Sequence, residues 1–173
     1  MSIYDELRAR VKAGDLFFVQ PLDIEGAILA RQLYVSPSIN SLLEGPWESE
    51  DWSDRCAALQ ADLHMFVAGD MIAGRIPPSK NVEAYIALLE PPSHEVWEIR
   101  SSDALPQLRI FGRFAAMDCF VGLTWNYRSR LPADAKWSAA METCKAEWRR
   151  LFTYPPYQGA DVHDFVSKKI YPV

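Results

Sequence analysis

The sequence predicts an α+β protein of one domain, in which a small antiparallel β-sheet packs against helices on one face. Three observations carry that prediction. Val96–Arg100, Leu108–Phe114 and Cys119–Trp125 are strand-length runs rich in aromatic and branched residues, joined by short links, the pattern of a three-strand meander with room for an extra strand. In residues 134–152, Trp137, Ala140, Met141, Cys144, Trp148, Leu151 and Phe152 recur at steps of three and four, the spacing of one helical face. The length of 173 residues suits a single core that buries roughly two-thirds of the unfolded surface.

The remaining elements follow in chain order. "SIYDELRARVKAG" has Ser2 to cap, Asp5 three residues on and Gly14 to stop, with Ile3, Leu7 and Val11 on one side, so it reads as a helix. "DLFFVQP" is a strand candidate closed by Pro21, while "DIEGAILARQLYV" stays open between helix and strand. Ser36–Pro37 opens a short helix that ends at Gly45. "GPWESEDWSD" reads as an acidic surface loop leading into a helix over 55–69, lined by Leu59, Leu63, Phe66 and Val67. After the break at Pro77–Pro78, Ser79 is the expected cap of a second helix in "NVEAYIALLE", with Val82, Ile86 and Leu89 inward and Pro91–Pro92 as its end. Pro132 precedes the 134–152 helix, and the tail begins in a Pro/Gly loop.

Composition narrows the classes. Hydrophobic residues make up 49% and charged residues 24%, ordinary for a globular chain. No apolar run approaches the roughly 18 residues of a membrane helix, and the N-terminus is charged and amphipathic, unlike a secretory signal. Cys56, Cys119 and Cys144 are odd in number and far apart, which suits reduced thiols; a cytoplasmic protein without membrane contact is expected. His64, His94 and His163 show no ligand spacing, and no Gly-rich phosphate loop or nucleophile elbow is present, so neither a metal nor a cofactor is expected.

The net charge of −5 is unevenly spread: residues 1–94 hold 7 Lys/Arg against 14 Asp/Glu, and residues 95–173 hold 11 against 9. Five arginines, Arg100, Arg109, Arg113, Arg128 and Arg130, fall on or just beyond the meander. Alternation puts Leu108, Ile110, Gly112 and Phe114 on one face of the middle strand and Arg109, Phe111 and Arg113 on the other. Two guanidiniums about 7 Å apart flanking a ring suit a phosphate and a stacked base. The alternative is pairing with Glu98, Asp103 or Asp118 on a solvated face. Two other features have bland and functional readings side by side. Trp47 and Trp52 either staple their loop or anchor a partner; His163, between Asp161 and Asp164, is either a surface histidine or half of an acid–base pair.

Two helices followed by "VWEIR", "LRIFGRF" and "CFVGLTW", with basic residues behind, resemble the RelE/HigB/ParE toxin superfamily, in particular its phage-derived RelE-like branch. The resemblance covers residues 55–152, leaving 1–54 as an N-terminal extension and 153–173 as a tail. It implies a strand beside two helices and a curved antiparallel sheet with a basic concave face, a place "DLFFVQP" can fill. It also implies a toxin–antitoxin setting: metal-independent RNA cleavage on the ribosome, or gyrase poisoning in the ParE branch. In the nuclease branch the RNA's own 2′-hydroxyl attacks, and the protein supplies positioning and charge stabilisation. By position, Arg109 with Arg128 or Arg130 would be catalytic; Arg100, Arg113 and Phe111 would bind ligand, and His163 or Tyr171 would hold the place of a C-terminal acid. The expected partner is RNA, the ribosome or an antitoxin-like protein. The chain differs from those small basic toxins in its pI of about 5.2 and in "NYRSR" where paired lysines often stand. A non-catalytic protein–protein interaction or regulatory role on the same scaffold is the alternative that the acidic composition favours.

Overall fold

The three-strand meander is present, but it is the middle of a larger sheet. The computed structural model describes residues 2–21, 26 and 28–173. Among these, the chain runs α1 (Ile3–Ala13), β1 (Phe17–Phe18), β2 (Gln32–Val35), α2 (Pro37–Glu44), α3 (Glu50–Ala68), β3 (Ile72–Arg75), β4 (Ile86–Leu88), β5 (Trp97–Ser101), β6 (Leu108–Ala116), β7 (Cys119–Tyr127), α4 (Asp134–Leu151), α5 (Val162–Phe165) and β8 (Ile170–Pro172). The strands form one eight-stranded mixed sheet in the order β1-β2-β7-β6-β5-β4-β3-β8. The architecture is therefore α+β, and the expected small antiparallel sheet is corrected to a mixed one. β2 pairs with β7 in parallel, and β3 with β4 and β8 in parallel, around the antiparallel β5–β6–β7 centre.

Local chemistry explains the helix ends. Ser2 and Asp5 form a capping box at α1, and Gly14 closes it in the left-handed region at φ 78°. Ser36 caps α2 with Pro37 in its first turn. α3 starts earlier than the sequence predicts, because Ser49 caps it and Glu50 and Asp51 complement its positive end. Trp52 thus lies on a helix, against Trp125 and Tyr127, while Trp47 donates to the Leu42 carbonyl at 2.9 Å.

Two expectations along the chain are overturned. "NVEAYIALLE" forms no helix: Ile86, Ala87 and Leu88 are buried as β4 between β3 and β5, and Val82, expected inward, is 83% exposed. A short run buried on both sides reads by period as either element, and sheet pairing decided it. "DLFFVQP" supplies only the edge pair Phe17–Phe18; the strand beside the meander is Gln32–Val35. The open reading of "DIEGAILARQLYV" resolves to a strand at its end, while Leu22–Glu25 and Ala27 lie outside the described residues.

The sheet is covered on both faces, not one. Leu108, Ile110 and Phe114 of β6 pack with α2, α3 and α5 through Ile39, Leu59, Leu63, Phe66 and Phe165. Phe111 of β6, with Val121 and Leu123 of β7, packs with α1 and α4 through Leu7, Met141, Cys144 and Trp148. The alternation read from the sequence is correct; the second face is nevertheless dry. All three thiols are free and buried, and burial pushes Cys119 and Cys144 up to about 12. No helix among the described residues is long and apolar enough to cross a membrane.

Candidate anion-binding site

β5 and β6 run antiparallel with Arg100 directly opposite Arg109. Like charges so placed repel, and Glu98, two residues before Arg100 on the same side of the strand, resolves the conflict. Its Oε1 accepts from Arg100 Nε at 2.8 Å, and its Oε2 stands 3.3 Å from Arg109 Nε, within ion-pair reach though not in hydrogen-bond geometry. All three side chains are largely buried; Glu98 is 1% exposed. Arg109 also donates to the Leu108 carbonyl at 2.9 Å and to Ser102 Oγ at 3.2 Å, and Arg100 to the Val82 carbonyl at 2.8 Å. Burial lowers the affinity of Arg109 for its proton, Glu98 opposes that, and Arg100 and Arg128 add to it. An arginine so placed stays cationic throughout the physiological range.

The sheet register brings a further arginine to the same place. Arg75 of β3 is the pairing partner of Ala87, and Ala87 of Glu98, so the three share one face in a row. The small alanine leaves room between the two charged side chains. There a cavity of about 380 Å³ opens, lined by Arg75, Lys80, Arg100, Arg109, Arg128 and, from α4, Trp137. Glu90, Glu98 and Asp134 are its carboxylates, so five cationic side chains face three anionic ones, an excess of two positive charges. Arg75 Nε is buried with no hydrogen-bond partner. Burial and then Arg100 lower the Arg75 guanidinium from its ordinary value, while Glu98 and Glu90 draw it back. Arg128 donates to the Leu131 carbonyl at 3.0 Å and lies 5.4 Å from the centre of the Trp137 ring.

A second hollow, walled by Pro77, Pro78, Pro91 and Pro92, adjoins the cavity and shares Lys80, Glu90, Asp134, Trp137 and Met141 with it. Arg128 also borders a further hollow that holds Asp51, Asp54 and Arg55.

Of the residues singled out in the sequence, Arg100, Arg109 and Arg128 thus meet at one site, and the others do not. Arg113 lies farther along β6. It donates to the His94 carbonyl at 2.5 Å and the Glu95 carbonyl at 3.2 Å, stands 3.5 Å from the Glu95 carboxylate and lies over Trp148. Phe111, 1% exposed, meets Trp137 edge-on beneath α4 and cannot stack on a base. Arg130 is exposed, over the Tyr127 ring at 4.5 Å, and lines no part of the cavity. His163, two residues after the capping residue Asp161, sits on α5, and Tyr171 is on the edge strand β8. Arg75 and Lys80 were missed: they flank the Pro77–Pro78 break, and only the β3–β4 pairing carries them to the meander. Among the described residues no group of three His, Cys, Asp or Glu could hold a metal ion.

Fold and site together define a class: an α+β protein with one mixed sheet covered on both faces and an arginine-lined pocket at one end of it. No family model, curated protein or solved structure matches the chain.

Proposed function

We propose that this protein is a non-catalytic, cytoplasmic interaction protein on a RelE-like scaffold, which holds its partner by an anionic group lodged among Arg75, Arg100, Arg109 and Arg128. The observation that carries this reading is the meeting of those four side chains, from four separate stretches of chain, at one cavity with net positive charge. Guanidiniums are forked donors suited to phosphate and carboxylate. The scaffold reading is supported by β2 beside β7, with α2 and α3 following β2 and the antiparallel β5–β6–β7 meander coming after two inserted strands, β3 and β4.

Catalysis is left out of this reading for a physical reason. The toxin resemblance calls for an open basic face, and here α4 lies over Phe111 and Arg113 while Arg109 shares Glu98 with Arg100. Phosphate, sulfate and citrate at millimolar concentration are expected to raise the melting temperature of the wild type, and Arg128→Ala to lose most of that rise. Melting curves indifferent to all three anions would refute the reading. The second reading, a metal-independent RNA-cleaving or ribosome-directed factor, is favoured by Arg109 and Arg128 lining the same cavity. RNA cut on ribosomes in the presence of a chelator by the wild type, but not by Arg128→Ala, would put it first.

A further inference from the structure

The chemistry of the cavity narrows the anion it takes. Resting on the binding reading above, we propose that the ligand is a small phosphate monoester carried on a flat ring, of the nucleoside monophosphate kind, and not a polynucleotide.

Three features argue for it. The first is charge. The excess of two positive charges around Arg75, Arg100 and Arg109 matches one phosphate monoester, which carries close to two negative charges near neutral pH. A diester phosphate within a strand carries only one. The second is the Arg75 side chain. It lines the cavity, and no hydrogen bond or ion pair to the described residues holds its guanidinium; its Nε is closed off from solvent, and its terminal N–H groups are the donors an oxygen of the ligand would meet. The third is the outer wall. Beyond the arginines, Trp137, Met141 and the stiff pairs Pro77–Pro78 and Pro91–Pro92 border the adjoining hollow. Rigid apolar walls of this sort hold a planar body with little loss of side-chain freedom.

The surroundings of the cavity select against a strand. Consecutive phosphates leaving the arginines would meet Glu90 and Asp134 against Lys80 on the proline side, and Asp51 and Asp54 against Arg55 and Arg128 on the other, so neither flank carries a positive excess. Without a positive excess on either flank, further phosphates of a strand gain no attraction there, while a neutral ring is indifferent to the balance. A volume of about 380 Å³ also falls in the range of small-ligand pockets.

Titration calorimetry on the full chain tests the proposal with four probes: inorganic phosphate, adenosine, adenosine monophosphate and a short RNA with hydroxyl ends. Adenosine monophosphate is expected to bind about tenfold tighter than phosphate, the size of effect a single stacked ring supplies, and tighter than adenosine, which lacks the charged group. Arg75→Gln should weaken that binding about tenfold, as for a lost hydrogen bond to a charged group. Exposed Lys80 carries no folding role, so Lys80→Gln, with a smaller and salt-sensitive loss, serves as a second variant. Equal affinity for phosphate and for adenosine monophosphate overturns the ring, and RNA binding as tightly as the monophosphate overturns the selection against strands. Either result leaves the anion-binding reading standing. Heats absent for all four probes, and absent for sulfate and citrate, overturn both.

Discussion

Replacing Glu98 by glutamine changes one charge and almost no volume, so its effect isolates the electrostatics of the cluster. Arg100 and Arg109 face each other across β5 and β6, and the carboxylate lies 2.8 Å from one and 3.3 Å from the other. At an effective dielectric constant of about 20, a pair of unit charges about 3 Å apart attracts by roughly 5 kcal/mol, so two pairs give about 10. Keeping a carboxylate out of water costs several kcal/mol, which offsets most of that sum. A net loss of about 3 kcal/mol remains for Glu98→Gln, the lower end of the range for breaking a buried pair. In a chain of this size that lowers the melting temperature by about 6–12 °C. Anion binding should move the other way. The positive excess around the cavity rises from two to three, and phosphate affinity is expected to increase about tenfold for one added charge at close range. Urea unfolding gives the first quantity and calorimetry with phosphate the second. A destabilisation below about 1 kcal/mol, the size of an exposed pair, or a weaker phosphate affinity would refute the account of Glu98 as the group that holds opposed arginines together.

Two other perturbations test the sheet and its polar interior. An added Cβ at Gly112 would stand 2.2 Å from the Val121 carbonyl oxygen and 2.5 Å from Phe120, whereas at Gly122 it would meet only side-chain atoms, the nearest at 3.1 Å. Backbone cannot yield as side chains can, so Gly112→Ala is expected to cost about 3 kcal/mol and Gly122→Ala clearly less; the reverse order in urea unfolding would show the β6–β7 register to be wrong. Burial pushes the Asp62 carboxyl above its ordinary range, although Ser101 Oγ donates to it and Arg55 draws it down. The folded state therefore keeps that proton to higher pH than the unfolded chain, and this group's contribution to stability falls as pH rises from about 4 through its raised value, then levels off. Asp62→Asn should remove that slope, so the stability difference between variant and wild type changes across this window; a difference flat with pH would count against a desolvated carboxyl at Asp62.

Much of this architecture is legible in the residues, and the misreadings have a common cause. The capping pairs Ser2–Asp5 and Ser36–Pro37, the stops at Gly14 and Gly45 and the apolar face of α4 are local signals, each set by chemistry within a few residues, and each is found where the sequence puts it. The short strands are not local. β3, β4 and β8 have three or four residues each, and β8 ends on a proline. Runs of that length carry too little pattern to identify a strand, and they exist because a neighbour already offers paired backbone groups.

The dryness of the second face was available in the sequence but needed two elements to be read together. "CFVGLTW" is apolar at consecutive positions, so β7 has no wet side, and α4 carries its own apolar stripe of Met141, Cys144, Trp148 and Leu151 that must be buried somewhere. Each is the cover the other requires. Once α4 lies across Phe111, the arginines of β6 can no longer act as one row. Arg113 is satisfied by the carbonyls of His94 and Glu95 under Trp148, and Arg109 is left near the start of β6, where Asp134 and Trp137 of α4's first turn help wall the cavity. What then gathers charge at that spot is the sheet register, Arg75 beside Ala87 beside Glu98, a relation between residues more than twenty positions apart. Spacing along a single strand predicts a row of cations; pairing across three strands makes a pocket of them, and only the second can discriminate one anion from another.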